Sequence, residues 1–455
     1  MSQLRRNLRL CTIEGLYATP IVYLLQPGNF VIAALLPGLF QLPPSLYGLI
    51  ASLPFWGNFA QAFLMPFVDR LFAAKTASLV FCSFQVVCWG ALALALPYLP
   101  VDNPAVSGPW FLLIFACSAA ITAVTGVVWT SWVQEWVPWR LRGKYFGLRN
   151  RLMQVALIVF LFLVGDLIEP SAGGSVRAFQ WLLFGAVGLR VVSVYLQHRT
   201  RTTSPLVHTA SRAPWREQLA VLVRAPGYLW FIGFGAVWGF AANCFGPFYY
   251  VFMYEQVGLS VRNVSHLVIL TCVGGALSYP AWGALADRFG NKPVMLFCMI
   301  AWQLQNFLWC FLEPANRNLL YPMWAFGGIM SAGFTLGLFN IQLKLIPLAA
   351  KTLAISVNLA VTSLMTAMAP ILGGRALGHF LAQGVAPLDL YHVLFLIQPV
   401  VALLGCLLLV RVHESSAAPL ASVVGAMRNL RTLGAVMGLG FLANFYFVRR
   451  APRKR

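Results

Sequence analysis

Long apolar runs alternate with short polar segments along most of the chain. An α-helix needs about 20 apolar residues to cross the hydrocarbon core of a bilayer. The pattern therefore predicts an all-α integral membrane protein with twelve transmembrane helices. The runs fall at 12–38, 46–67, 76–97, 110–134, 151–169, 178–197, 227–253, 264–285, 294–312, 319–345, 353–374 and 389–410.

The longest polar stretch separates the sixth run from the seventh. It contains Arg199, Arg201, Arg212, Arg216 and Arg224 among Ser, Thr and Pro, a composition typical of a flexible or surface-lying linker. The predicted units are an N-terminal six-helix bundle (1–197), a cytoplasmic linker (198–226), a C-terminal six-helix bundle (227–412) and a basic cytoplasmic tail (413–455).

Composition agrees with a membrane protein and excludes an ordinary soluble one. Of the 455 residues, 60% are hydrophobic and 10% charged, and the mean hydropathy is +0.76. Soluble domains carry about 25% charged residues. A water-soluble fold could not bury this much apolar surface, because surface area grows too fast with mass.

The formal net charge of +20 raises the question of nucleic-acid binding. The basic residues fall in small groups between apolar runs, however, and not in a stripe on a soluble module. With both termini inside, every Lys and Arg except Arg177, Arg262, Arg317 and Arg375 lies on the cytoplasmic side or at helix ends facing it. Such asymmetry is typical of membrane topology. We expect a multi-pass protein of a bacterial inner membrane with cytoplasmic termini, and no nucleic-acid partner.

The end of the chain allows two interpretations. An apolar stretch at 433–447 has Arg428 and Arg431 before it and a cluster of five basic residues after it. As a thirteenth span it would be short and would export that cluster, against the positive-inside bias. An interfacial helix with its basic flanks on anionic lipid explains the same residues better.

The strongest local motif lies between the eighth and ninth runs. It contains Gly283, Asp287, Arg288, Gly290 and Lys292 within ten residues. Gly283 permits close approach of a neighbouring helix, and Gly290 permits a positive φ in the turn.

A second Asp-Arg loop occupies the matching place in the first half. Asp69 and Arg70 lie between the second and third runs, with Met65 and Phe72 where the other copy has glycine. Two such loops in equivalent positions of two six-span halves indicate a duplicated unit.

These motifs resemble the signature loop of the major facilitator superfamily. The loop after the fourth run, with Arg142 and Gly143, and the segment Ala369–Gly374 at the end of the eleventh are also similar to motifs of that family. The resemblance implies two six-helix bundles around a central cavity that rock between inward-open and outward-open states. It implies a gating role for Asp287 and Arg288, and by analogy for Asp69 and Arg70. The alternative is a solvated turn that only anchors the chain inside.

The resemblance also implies that spans one, four, seven and ten line the cavity. Buried polar or aromatic side chains there are candidates for solute binding, because polar groups in hydrocarbon are costly. Hydrogen bonding between helices explains the same residues equally simply, and we expect Tyr250 to anchor the chain at the lipid interface. The candidates are Gln26, Asn29, Thr125, Trp129, Trp238, Asn243 and Asn340.

Glu14 is the candidate for proton coupling. No carboxylate lies near the middle of a predicted span, and Glu14 lies about one turn into the first. Arg151 and Gln154, which enter the fifth span, are candidates to join it in a polar cluster, although a positive-inside anchor is their simpler role. The alternative for Glu14 is a surface carboxylate near a helix N-terminus. The absence of a central charge and the high aromatic content predict a neutral, amphipathic solute.

Other chemistries find no support in the sequence. The nine cysteines lie in or beside apolar runs without a CxxC pair, and the histidines have no metal-ligand spacing. No GxSxG or HExxH motif is present, so we expect neither an enzyme nor a cofactor. The prediction is a secondary active transporter of a small solute; the alternative is a non-transporting sensor or assembly factor with the same fold.

Overall fold

The computed structural model describes residues 3–26, 28–168, 175–201, 215–414 and 417–428. Within these ranges the chain forms helices and no strands. The first half contains α1 (Gln3–Leu24), α2 (Phe30–Ala33), α3 (Pro44–Leu71), α4 (Ala74–Ala95), α5 (Pro104–Trp136), α6 (Trp139–Ile168) and α7 (Val176–Arg199).

The second half begins with a short helix before its first span. Its helices are α8 (Trp215–Val223), α9 (Pro226–Cys244), α10 (Phe248–Glu255), α11 (Val261–Phe289), α12 (Asn291–Asn306), α13 (Leu320–Leu345), α14 (Lys351–Ala382), α15 (Pro387–Phe395), α16 (Ile397–Val410) and α17 (Leu420–Arg428). The apolar stretch 433–447 lies outside the described residues, as do residues 202–214 of the linker.

Ten helices of the described chain are long and apolar enough to cross a membrane. The segment Gln3–Leu39 and helix α3 supply two further passes, which is consistent with the predicted twelve. We call the side that carries Gln3, Arg201 and Glu414 the linker side. The other side, which carries Asn103, Ser175 and Glu255, is the opposite side.

The first span of each half is interrupted at a corresponding place. In the first half, α1 ends at Leu24 and α2 begins at Phe30; in the second, α9 ends at Cys244 and α10 begins at Phe248. Glycine and proline at the breaks explain why the helices stop. Interrupted helices at matching positions of two repeats are typical of transporter binding and gating regions.

The two breaks touch each other across the halves. A Cβ built on Gly28 would lie 3.5 Å from Cγ and 3.9 Å from Cβ of Pro247. Beyond the breaks, the ring of Phe30 lies 6.3 Å from that of Tyr250, and the Tyr254 hydroxyl donates to the Phe30 carbonyl oxygen at 3.0 Å. The broken spans therefore meet on the opposite side of the molecule.

Helices α3 and α14 form the largest contact between the halves. A Cβ on Gly48 would collide with the Pro370 carbonyl oxygen, and one on Gly374 with the Pro44 carbonyl oxygen. Only glycine allows backbones to approach this closely. Helices α6 and α11 make the second contact, where Ser265 donates to the Leu161 carbonyl oxygen at 2.6 Å.

Apolar packing distinguishes the two sides of the interface. The largest cluster of buried apolar side chains contains residues of both halves, among them Phe30, Tyr47, Phe248 and Phe252. The remaining clusters of described side chains each belong to one half; one contains Trp132 and Tyr145, and another Trp282 and Met295. The shared core lies on the opposite side.

A pair of lysines supports the internal duplication. Lys75, at the start of α4, donates to the carbonyl oxygens of His198 and Thr200 at 3.2 and 2.8 Å. Lys292, at the start of α12, donates to those of Val410 and Val412 at 3.5 and 2.8 Å. Each lysine satisfies carbonyls at the end of the last span of its own half, where the helix dipole favours a cation.

Candidate functional site

A cavity of about 320 Å³ lies inside the second half, between α9, α10, α11, α12, α13 and α16. Its walls contain six aromatic rings and several uncharged polar groups. The lining residues are Trp238, Ala242, Gly246, Tyr249, Tyr250, Thr271, Trp302, Gln305, Asn306, Trp309, Met323, Trp324, Gly327, Ser331 and Gln398.

The aromatic rings of the cavity form pairs that join different helices. Trp238 of α9 lies 5.5 Å from Trp302 of α12, and Tyr250 of α10 lies 5.9 Å from Trp324 of α13, measured between ring centroids. Tyr249 is stacked on Phe395 at 4.2 Å. Tyr250 is therefore a wall residue of the cavity, and the expectation that it anchors the chain at the lipid interface is wrong.

Several polar groups of the cavity already have partners. The Tyr249 hydroxyl donates to Gln398 Oε1 at 2.6 Å, and Thr271 Oγ1 donates to the Trp324 carbonyl oxygen at 3.0 Å. Asn306 Nδ2 donates to Gln303 Oε1 at 3.2 Å. These bonds fix the wall, because they tie α10 to α16 and α11 to α13.

The other solute candidates of the second half lie outside this cavity. Asn243 follows lining residue Ala242 in the chain, and its Nδ2 donates to the Gly239 carbonyl oxygen one turn back at 2.9 Å. Asn340 lies on the linker side, where its Nδ2 donates to Asn291 Oδ1 at 2.9 Å. Trp238 is the candidate that the structure brings to the cavity.

Asn29 holds the break in the first span together. Its Oδ1 accepts from the backbone N–H groups of Val31 and Ile32, and its Nδ2 donates to the carbonyl oxygens of Tyr23 and Gln26. The side chain thus caps α2 and satisfies groups that the end of α1 leaves free. All of its main hydrogen-bonding capacity is used within the break.

The remaining candidates of the first half have different surroundings. The side chain of Gln26 is exposed at the break. Thr125 is buried, and its hydroxyl donates to the Ile121 carbonyl oxygen of its own helix at 2.7 Å. Trp129 is half-buried, with the guanidinium carbon of Arg149 4.6 Å from its ring centroid, a cation–π geometry.

Glu14 is buried inside the first half and is not a surface carboxylate. Its side chain is 4% exposed and lies 3.2 Å from the guanidinium of Arg149 and 3.8 Å from that of Arg190. It also accepts from Ser193 Oγ at 3.1 Å and from Gln197 Nε2 at 2.9 Å. The carboxylate therefore connects α1 to α6 and α7.

The two arginines extend this cluster. Arg190 donates to Gln85 Oε1 at 2.7 Å, and Arg149 Nε donates to the Cys11 carbonyl oxygen at 3.2 Å. One carboxylate thus faces two guanidinium groups, while the expected neighbour Arg151 is exposed. Hydropathy did not reveal the cluster, because Arg149 lies in a basic segment before the fifth run and resembles a cytoplasmic anchor, while Arg190 is a single charge inside the sixth run.

The signature loop of the second half lies on the linker side. Asp287 and Arg288 are exposed, and the Arg288 guanidinium carbon lies 5.3 Å from the centroid of its neighbour Phe289. Gly290 has φ 94°, as its position in the turn predicts. A Cβ on Gly283 would meet no atom within 4 Å, so the expectation that this glycine permits close approach of a neighbouring helix is wrong for this structure. The side chains of Asp69, Arg70, Arg142 and Lys144, and residue Gly143, lie outside the part of the chain whose side chains are described.

The segment after the last span folds back on this loop. Glu414 accepts from the backbone N–H groups of Asn291 and Lys292 at 3.2 and 2.7 Å, and from Lys344 Nζ at 2.7 Å. It thereby caps α12, whose own cap residue is Gly290 and has no side chain to do so. Burial alone would raise the pKa of the Glu414 carboxyl, but the hydrogen bonds from Lys344, Asn291 and Lys292 outweigh it and hold the pKa at about 2.

Sequence reasoning missed most of the cavity. Trp302, Gln305 and Trp309 belong to the ninth span, whereas the candidates were confined to spans one, four, seven and ten. A signal was present, since the ninth and tenth runs contain three tryptophans and several amide side chains. Which of them meet depends on the rotation of each helix in the bundle.

Comparisons with known proteins agree with this architecture. Residues 230–451 match the family model of the Major Facilitator Superfamily. A mutant of the nucleoside transporter NupG has a TM-score of 0.67 at 16% identity, and covers 89% of this chain and 99% of its own. A D-xylose–proton symporter has a TM-score of 0.68 at 12% identity, with 92% and 99% covered. No curated protein matches the chain.

A third similar structure is a bacterial homologue of the human lysosomal transporter Spinster, in an inward-facing and unoccupied conformation. Its TM-score is 0.61 at 16% identity, and 90% of this chain and 94% of that chain are covered. The fold and its interrupted spans are those of a multi-pass membrane protein similar in structure to these transporters. The second half of the chain thus matches the major facilitator superfamily, and the similar solved structures confirm the predicted all-α membrane fold.

Proposed function

We propose that this protein is a secondary active transporter that carries a small solute by alternating access, with the structure in the inward-facing state. The observation that supports it most is the uneven interface between the halves. The buried apolar cluster that both halves share lies on the opposite side, as do the contacts of Tyr254 with Phe30, Ser265 with Leu161 and Arg262 with Asp166.

The charge pattern supports the proposal that the linker side faces the cytoplasm. The linker side carries the basic loops, and positive loops remain cytoplasmic. We therefore propose a bacterial inner-membrane protein with both termini in the cytoplasm and its outer side closed. The same bias supports contact of the basic tail with anionic lipid.

The aromatic cavity is the proposed solute site. It is an uncharged chamber with polar groups in its wall, which is the usual composition of small-molecule pockets. Trp238 remains a candidate for solute binding, and Tyr250, Trp302 and Trp324, which line the same cavity, are further candidates. Gln26 and Trp129 remain candidates in the first half, whereas the polar groups of Asn29, Thr125, Asn243 and Asn340 have local partners.

The exposed Asp287 and Arg288 fit a gating role. They are available to contact the first half when the linker side closes, while Gly290 and Lys292 hold the loop to the end of its own half. We propose the same gating role for four residues of the first half on the basis of their positions in the sequence motifs: Asp69, Arg70, Arg142 and Gly143.

Proton coupling is proposed for Glu14 only in combination with movement of its partners. Protonation in the present geometry would leave Arg149 and Arg190 without a counter-charge, which is costly in a buried site. Coupling through this residue therefore requires separation of Glu14 from Arg149 in the other state. A Glu14→Gln carrier that exchanges solute without responding to a pH gradient supports this role; one that keeps the response excludes it.

Distances between the halves test alternating access without knowledge of the solute. Spin-label pairs are placed at exposed residues across the halves: Leu71 with Lys351 on the linker side, and Ser175 with Gln383 on the opposite side. We expect two distances for each pair. The fraction of molecules with the long linker-side distance should equal the fraction with the short opposite-side distance. Asn103 with Ser175, within one half, is the control. A single population at both pairs under all lipid, pH and solute conditions supports the non-transporting alternative.

A further inference from the structure

We infer that the cavity binds a neutral solute with a flat aromatic or heteroaromatic ring and an amide-like polar edge. This rests on the proposal that the cavity is the solute site. Four features of the wall carry it: charge, ring arrangement, unengaged polar groups and size.

The wall carries no formal charge. None of its fifteen described lining residues is Asp, Glu, Lys, Arg or His. A charged solute that moved from water into this cavity would find no ionic partner in the wall. An unpaired buried charge is strongly unfavourable. The charged cluster around Glu14 belongs to the other half and is itself buried. The cavity therefore favours an uncharged solute.

Two pairs of aromatic rings line the cavity and can contact a flat molecule. The Trp238–Trp302 pair belongs to α9 and α12, and the Tyr250–Trp324 pair to α10 and α13. The rings of each pair are tilted, at 55° and 47°, so each presents both a face and an edge. Aromatic rings favour offset-stacked and edge-to-face contacts over other arrangements. A planar ring can make both.

The hydrogen-bonding groups of the wall that remain for the solute are mainly N–H donors, among them the indole N–H of Trp324, which is buried without a partner among the described residues. Tyr249, Gln398, Thr271 and Asn306 already hydrogen-bond within the wall, and Ser331 donates to the Gly328 carbonyl oxygen. A polyol would bury many hydroxyl donors against this donor-rich surface and leave most of them without an acceptor, which is costly. The wall thus disfavours a sugar-like solute.

Two unengaged groups lie together. The Gln305 amide and Trp302 Nε1 make no hydrogen bond with any described residue, and both lie beside Gly327. A Cβ on Gly327 would be 3.4 Å from Trp302 Nε1 and 3.6 Å from Gln305 Oε1. One indole donor beside an amide, which both donates and accepts, complements the edge of a carboxamide or a ring lactam.

The size of the cavity sets an upper limit. Its volume of about 320 Å³ is near the lower end of the ~300–1,000 Å³ range of small-molecule pockets. A single ring system with short substituents fits this space, whereas a lipid or a large drug does not. The ligand class is therefore a small metabolite-sized ring compound.

The test compares probes that differ in one property at a time. Thermal unfolding of the full chain in lipid nanodiscs is measured with neutral rings (nicotinamide, uracil and hypoxanthine), with charged nicotinate, with saturated cyclohexanecarboxamide and with D-xylose. We expect at least one neutral ring to stabilise the fold, and nicotinate and cyclohexanecarboxamide to bind at least tenfold more weakly than nicotinamide. Equal or tighter binding of a charged or saturated probe, or no stabilisation by any ring, overturns the inference.

Variants locate the binding. Gln305→Leu removes the amide, and Gly327→Ala adds a methyl between Trp302 and Gln305; each is expected to weaken ring binding about tenfold. Gly185→Ala is the matched control, because a Cβ there meets no atom within 4 Å and lies in the other half. Unchanged affinity in a folded Gln305→Leu protein contradicts the proposed edge contact.

The outcome separates this inference from the proposed function. A chain whose spin-label distances alternate but which prefers D-xylose keeps the transport proposal and loses the ring inference. A chain that binds neutral rings but shows one fixed set of distances keeps the ring inference and loses transport.

Discussion

The Tyr254 hydroxyl donates to the main-chain carbonyl oxygen of Phe30 at 3.0 Å and so joins the two halves just beyond their helix breaks. Phe30 is the first residue of the helix that Asn29 caps, and its carbonyl oxygen accepts from the Ala34 backbone N–H as well as from Tyr254. The helix that Asn29 caps in one half thus begins with the residue that contacts Tyr254 of the other half.

Removal of this hydroxyl is expected to loosen the closed side. Tyr254→Phe deletes one hydrogen bond worth ~0.5–1.5 kcal/mol net, so the population open on the opposite side rises roughly two- to tenfold. The Ser175 and Gln383 label pair measures this change. Tyr195→Phe, which removes an exposed hydroxyl that accepts from Arg199 of the same helix, is the control and leaves the distribution unchanged. Equal behaviour of the two variants contradicts a role for the Tyr254 contact.

The buried Glu14 is expected to dominate the stability of the first half. Glu14→Ala leaves two buried guanidinium groups without a counter-charge, and breaking a buried pair in this way costs about 3–5 kcal/mol. Asp166→Asn breaks the ion pair between Asp166 and Arg262. The Asp166 side chain is 71% exposed, so the expected loss of stability is below about 1 kcal/mol. Unfolding of both variants in the same detergent provides the comparison. A loss for Glu14→Ala no larger than that for Asp166→Asn would show that the cluster is solvated.

The equivalent lysines predict equivalent effects. Lys75→Met and Lys292→Met each remove contacts to two carbonyl oxygens, and each is expected to cost about 1 kcal/mol. The effects should add in the double variant, because the sites are in different halves and share no partner. Lys351→Met, at an exposed position, is the control. A large effect of one lysine alone would argue against duplicated loops with the same role.

Acid is expected to release the segment after the last span. The Glu414 pKa is lowered from an ordinary value of 4.5 to about 2 in the fold, so its stabilisation is present above pH 4.5 and is lost as the pH falls toward 2. Amide hydrogen exchange at Asn291, Lys292 and Ala418 reports this contact. Protection that persists at pH 4 and disappears near pH 2 is the expected profile. Glu414→Gln should lower the protection at pH 7 and remove the pH dependence; an unchanged profile in this variant would exclude Glu414 as the cap.

The spans were predictable from the sequence because hydropathy depends on local composition. The predicted run 264–285, for example, lies within α11, and 353–374 lies within α14. The motif around Gly290 was equally local, since a turn between two spans requires a positive φ at one position. Run length, charge distribution and turn chemistry were therefore sufficient to predict the fold class and the family resemblance.

The partners of buried polar groups were not predictable in this way. Glu14 meets Arg149 and Arg190, which are 135 and 176 positions away, through helix packing alone. Asn29 and Asn340 were chosen for their depth in a span, yet their amides satisfy a helix break and a linker-side turn. Periodicity gives the depth of a residue but not the rotation of its helix, which decides whether it faces the cavity.

A reversible cross-link between the helix breaks tests the central claim of alternating access most directly. The positions of Gly28 and Pro247 suit a disulfide, since a Cβ on Gly28 would lie 3.9 Å from that of Pro247, within the usual ~3.5–4.5 Å. Gly275→Cys with Ala332→Cys, with a corresponding separation of 3.8 Å inside one half, is the control. Both pairs are built in a background without the native cysteines, and the Leu71 and Lys351 distances are measured before and after oxidation.

The account predicts that oxidation of Gly28→Cys with Pro247→Cys leaves a single long linker-side distance, and that a reductant restores the second population. The control disulfide should form without changing the two populations. Retention of both linker-side populations with the breaks cross-linked would contradict alternating access, because the linker side would then close while the opposite side stays shut.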